Sequence, residues 1–190
     1  MKVLIATLIF LLCFSDSIIA QRNDKRILSS VDTVGDYLTL RHEFVVNVPL
    51  DSVWHAYTSK EGWEGAFVAK ATVDFKINGS ILTTYDKNAT IGDSTTIRLN
   101  VLNFIQKKMI TLKADISGNF AAFTEEEAKD LYNVIWFEEL SKSETRIVSY
   151  GLGYRNNEKF SRLMKFFIQG NEYSYKNLIN YLENGIKVKF

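Results

Sequence analysis

One cysteine, one proline and two histidines are all that the 190-residue chain has of those three residue types. The cysteine, Cys13, lies in an apolar N-terminal run. From Gln21 onward there is no thiol, which excludes a disulfide framework, a thiolate metal site and a cysteine nucleophile. His42 and His55 stand in neither a His-x-x-x-His nor a His-Glu-x-x-His pattern, so no preformed transition-metal site is expected. An excess of one charge is also lacking: Lys and Arg number 23, Asp and Glu 22, and the formal net charge is +1. That balance gives no field for a polyanion, and nucleic-acid binding is not expected. Gly151-Leu152-Gly153 lacks the following Gly and Lys of a phosphate loop, and no Ser sits in a nucleophile elbow. No cofactor is expected.

Long apolar runs are short of membrane length too. Val3 to Phe14 is apolar apart from Thr7, about twelve residues against the roughly twenty that span a bilayer. Lys2 supplies a positive start, Ser15 to Ser17 breaks the run, and Ile18-Ile19-Ala20 precedes Gln21. This is the layout of a signal peptide over residues 1–20. Export to a periplasm or the exterior is expected, with no transmembrane anchor in the mature chain. Leu11 and Leu12 stand where a lipoprotein signal needs small residues before Cys13, so lipidation is not expected. In a eukaryotic host Asn78-Gly79-Ser80 and Asn88-Ala89-Thr90 would be glycosylation acceptors.

What the chain has in quantity is aromatic bulk: thirteen Phe, nine Tyr and three Trp. An exported domain without disulfides must hold itself together through such a core. Gln21 to Asp36 is polar and irregular and reads as a flexible arm. Tyr37 to Val48 alternates as a strand with Leu38, Leu40, Phe44, Val46 and Val48 in one phase, ended by Pro49. Asp51 is placed to cap a short helix whose apolar stripe is Val53, Trp54 and Tyr57, and a second short helix starts near Glu61-Gly62-Trp63. Ala71 to Ile77 and Ser80 to Tyr85 read as a hairpin around Asn78-Gly79. Four more strands follow, over 94–104, 108–116, 132–140 and 144–152, with a local helix or loop at Glu125 to Lys129.

The strongest helical signal runs from Asn156 to Asn184. Phe160, Leu163, Met164, Phe167, Ile168, Asn171, Tyr175, Leu178 and Leu182 recur at intervals of three and four, and Gly185 ends the helix. No βαβ repeat occurs. The expected fold class is α+β, with about six or seven antiparallel strands in a curved sheet whose apolar face is covered by the long C-terminal helix. The domain is expected over 37–184, with 185–190 as a tail.

Val48-Pro49-Leu50-Asp51-Ser52-Val53-Trp54, then Tyr57-Thr58, Glu61-Gly62, Val73-Asp74-Phe75 and Asn78-Gly79 form a recurring pattern. With Thr145-Arg146-Ile147 and the terminal Leu178-Ile179-Asn180-Tyr181-Leu182-Glu183, it resembles the START-like superfamily of Bet v 1 type. Within that superfamily it is most similar to bacterial proteins related to the C-terminal domain of the activator of Hsp90 ATPase. The resemblance covers residues 37–184 and implies the helix-grip fold. It differs after Glu61-Gly62: the family's Trp followed by an aromatic is replaced by Ala66-Phe67, and Trp63 adjoins Gly62.

The resemblance places Trp63 and Phe67 at the entrance of a cavity between sheet and helix. The helix phase turns Phe160, Met164, Phe167, Asn171 and Tyr175 toward the sheet. Phe75, Tyr85 and Trp136 complete the expected ligand-lining set. Asn171 stands out, because a polar amide on an apolar stripe needs a partner when buried. Three functions are open: a binding protein for a small apolar or amphipathic molecule, a protein-interaction module, or a cyclase- or hydrolase-type enzyme using the same cavity. No catalytic residue is assigned. Asp74, Asp86, Asp93 and Asp115 are scattered carboxylates, and Arg146 with Arg155 could receive an anionic group.

Overall fold

A computed structural model describes residues 26–115 and 123–190; the expected leader, 1–20, lies outside the described residues. The chain runs β1 (Leu28–Val34), β2 (Tyr37–Val46), α1 (Leu50–Thr58), α2 (Lys60–Ala66), β3 (Lys70–Val73), β4 (Ser80–Thr84), β5 (Ile97–Ile105) and β6 (Met109–Ala114). It continues through α3 (Glu125–Ala128), β7 (Tyr132–Ser141) and β8 (Glu144–Arg155) to α4 (Glu158–Asn184). All eight strands form one antiparallel sheet in the order β1-β2-β8-β7-β6-β5-β4-β3. The long helix lies across its concave face, which is the α+β helix-grip architecture. No helix among the described residues is long and apolar enough to cross a membrane.

The pleat decides which side chains meet the helix. Along β2, Leu38, Leu40, His42, Phe44 and Val46 are all buried while their neighbours are less so. Register continues that row across the sheet: Phe44 faces Ile147, which faces Phe137, and His42 faces Ser149, which faces Ile135. On α4 the Asn157 side chain accepts from Phe160 N–H at 3.0 Å to start the helix. Gly185, left-handed at φ 66°, stops it.

Three boundaries differ from the expectation. Residues 28–34, expected as part of a flexible arm, form edge strand β1, paired along its length with β2. Helix α1 starts at Leu50 with Pro49 at its N-cap and no side-chain cap bond, so Asp51 falls in its first turn. Strand β3 stops at Val73, and Ile77 is exposed. The chain there turns through Asp74 to Gly79, with Gly79 N–H donating to the Lys76 carbonyl at 2.8 Å. A Cβ at Gly79 would stand 2.1 Å from the Asp74 carbonyl, so only glycine closes this turn.

The core has two parts. The larger joins α1, α2 and the C-terminal half of α4 to the sheet through Phe44, Val53, Tyr57, Phe137, Ile147, Tyr175 and Leu178. A smaller one, Leu38, Leu40, Tyr154, Phe160 and Met164, lies under the N-terminal half of α4. Fully burying one such side chain contributes about 1.5–3 kcal/mol.

Candidate functional site

Where the two cores approach each other they leave a cavity of about 230 Å³ between sheet and helix. Tyr57 from α1, Trp63 from α2 and Phe67 just after it form one side. Phe167, Asn171, Ser174 and Tyr175 come from successive turns of α4, and Leu99, Leu112, Ala114, Asn133, Ile135 and Gly151 from β5 to β8. Gly151 and Ala114 explain part of the space, since neither projects a side chain large enough to fill the gap under the helix. Tyr85, Leu131, Tyr132 and Tyr154 complete the wall. No charged side chain belongs to it among the described residues.

The aromatic side is fixed locally. The Trp63 indole N–H donates to the Tyr57 carbonyl at 2.8 Å, tying α2 to α1. The Trp63 and Phe67 ring centroids lie 5.0 Å apart, and those of Tyr57 and Phe67 5.4 Å. Behind the helix side stands a chain of polar groups. Glu172 accepts from the Ser29 hydroxyl at 2.6 Å, and that oxygen lies 2.9 Å from His42 Nδ1. Asn171 Nδ2 lies 3.4 Å from His42 Nε2. These contacts are mutually consistent when a neutral His42 donates from Nδ1 to Ser29 and accepts at Nε2 from Asn171. Burial holds His42 down to about 4, against a partial upward pull from Glu172.

The phenols shift the other way. Burial pushes Tyr175 up to about 12, tempered by its hydrogen bond with Ser149. Burial also raises Tyr154 and, well above its ordinary value, Tyr57, each with a smaller push from Tyr175. These groups are therefore neutral O–H donors near pH 7 and not poised bases. Asn133 Nδ2 donates to Ser149 Oγ at 2.9 Å and to the Tyr150 carbonyl at 3.2 Å. The Tyr57 hydroxyl, fully buried, has no hydrogen-bond partner. Chemically the site is an apolar chamber with neutral hydrogen-bonding groups.

Of the expected lining residues, Trp63, Phe67, Tyr85, Phe167, Asn171 and Tyr175 are on the cavity wall. Four are elsewhere. Trp136 is 44% exposed, because it alternates with buried Ile135 and Phe137 and the pleat sends it outward. Phe75 packs against Trp54 and Phe104, at centroid distances of 5.7 and 4.9 Å. Phe160 and Met164 are filled into the smaller core. The dispersed carboxylates find local partners: Asp74 with Lys76, Asp86 with Asn88 N–H, Asp93 with Thr95, Asp115 with Arg98. Arg146 is engaged by Glu138 and Glu43.

Sequence reasoning missed His42, Tyr154 and the wall residues Leu99, Leu112, Ala114, Asn133, Ile135 and Gly151 on the strands. The signal for His42 was available: it falls in phase with Leu38, Leu40, Phe44 and Val46. Tyr57 was read as a packing residue, and it is both packed and cavity-lining.

No family model and no curated protein matches the chain in sequence. Solved structures share its fold. A conserved protein of unknown function from Enterococcus faecalis aligns with a TM-score of 0.62 at 11% identity, over 84% of this chain and 80% of that one. The Aha1 dimer from Colwellia psychrerythraea gives 0.58 at 12% identity, over 77% and 97%. A Staphylococcus saprophyticus protein gives 0.59 at 16%, over 80% and 96%. At such identities the likeness is one of fold.

Proposed function

We propose that this chain is an exported, START-like helix-grip protein that binds a small hydrophobic or amphipathic molecule between its sheet and α4. The observation that carries the reading is the aromatic-walled cavity of about 230 Å³ at the junction of the two cores. A concave, mostly apolar chamber with a few placed polar groups is the usual form of a small-molecule site. Export rests on Lys2, the apolar run to Phe14 and the break before Gln21. The family assignment rests on the Val48 to Trp54 and Leu178 to Glu183 patterns together with the shared fold. Native mass spectrometry of protein purified from its own host, with organic extraction, tests the reading. A reproducible copurifying molecule of low mass supports it. Failure of any apolar compound to bind the purified protein at millimolar concentration sinks it.

A second reading, a protein-interaction module, is favoured by β1. This edge strand carries Leu28, Val31 and Val34, which are 57%, 43% and 73% exposed. An open strand edge with apolar side chains can receive another strand. Substituting Val31 and Val34 by Lys would abolish such an association without touching the cavity.

A further inference from the structure

The ligand's chemistry can be narrowed on the binding reading just given. Among the described residues, the Tyr57 hydroxyl is the one buried side-chain polar atom without a partner. Tyr57 itself is 3% exposed, and its ring forms part of the cavity wall. The two rings packed on it, Phe67 and Phe137 at centroid distances of 5.4 and 5.2 Å, offer it no acceptor. Several other polar groups of the wall are engaged, Asn133 with Ser149 and Tyr150, Asn171 with His42, and the Trp63 indole with the Tyr57 carbonyl. Leaving a buried hydroxyl unpaired is unfavourable, and the arrival of an acceptor recovers that loss.

We propose that the Tyr57 hydroxyl is the recognition point of the cavity, donating to an uncharged ligand that presents a single accepting oxygen, such as a ketone, ester or ether. Charge is disfavoured because no Lys, Arg or His side chain forms part of the wall among the described residues. A carboxylate taken inside would lose its hydration with no cation to replace it. A phenol raised by burial keeps its proton near neutral pH, as a donor must. Size follows from volume. An apolar cavity of about 150 Å³ holds benzene, so the cavity of about 230 Å³ takes roughly nine non-hydrogen atoms by the same scaling.

The test is isothermal titration of acetophenone, ethylbenzene and benzoate into wild-type protein and Tyr57→Phe. The expected result is that Tyr57→Phe lowers the ketone-to-hydrocarbon affinity ratio about fivefold and leaves the hydrocarbon's own affinity within about twofold. Benzoate binds wild type more weakly than the ketone. An unchanged ratio, or benzoate as the tightest of the three, overturns the assignment while leaving the carrier reading intact. Binding of none of the three overturns both. Ligand-free melting is an independent arm, because Phe at 57 removes a group that has no partner. An unchanged or higher midpoint is expected, and a fall of several degrees would show that the hydroxyl is already paired.

Discussion

The two halves of α4 are held by different means. Toward its C-terminus Tyr175, Leu178 and Ile179 are buried in the larger core. Tyr181 packs so closely on Gly65 that a Cβ there would lie 2.3 Å from its ring. Glu183 accepts from the two terminal Arg26 guanidinium nitrogens at 2.8 and 2.7 Å and from Asn47 N–H at 2.8 Å. Toward its N-terminus the helix buries only Phe160 and Met164, and Phe166 is 66% exposed. The cavity lies where the second regime replaces the first. A helix anchored firmly at one end and lightly at the other can admit a ligand by moving its light end, without unfolding the domain.

The contrast can be broken most directly by truncation. Leu178→Ala is expected to cost about 3–4 kcal/mol and Met164→Ala about 2 kcal/mol, read as shifts in urea midpoint. Equal costs would dissolve the distinction. At the junction, His42 should make stability depend on pH. Its folded value, about 4, lies below the ordinary 6.5. Between these the unfolded chain binds more protons, so stability is complete above pH 6.5 and declines as pH falls toward 4. The loss approaches about 3 kcal/mol. Replacing His42 by Gln should flatten that slope relative to wild type, and an unaltered slope would assign the acid sensitivity to carboxylates instead.

A smaller effect, about 1 kcal/mol, is expected for Glu183→Gln, since this pair is partly open to water. Amide exchange should then quicken in the last turns of α4 and leave the first turns unchanged. Smallest is Gly170→Ala on the exposed face, where an added Cβ meets nothing within 4 Å. It should stabilise by roughly 0.5–1 kcal/mol, as a rise in melting temperature. Weaker ligand binding in this variant would indicate that the cavity depends on the helix bending there.

Legibility in the sequence followed the strength of the periodic signal. Helix α4 could be read to within two residues of its start because its apolar positions recur over many turns and end at Gly185. Strand β1 could not, because most of its residues are exposed at a sheet edge and no alternation marks a buried face. Trp136, expected in the lining, stands on the outer face, because the pleat buries Ile135 and Phe137 on either side of it. The helix side of the cavity was visible as a stripe. The sheet side depends on register, with Gly151 opposite both Leu40 and Asn133, and pairings between distant strands are not written in any local pattern.

The sheet order also sets a schedule for folding. Strands β3 to β8 pair with their sequence neighbours, so each ladder there closes a modest loop. Strand β2 instead waits for β8: Val46 lies opposite Thr145, a closure of about 100 residues whose entropy must be met before the contacts return anything. The β3–β8 meander can therefore assemble early, and so can the β1–β2 hairpin, in which Val34 lies opposite Tyr37, while the pairing of β2 with β8 comes late. Until then the edge of β8 that receives β2 remains unpaired, and this interval is when a nascent chain most needs protection from aggregation.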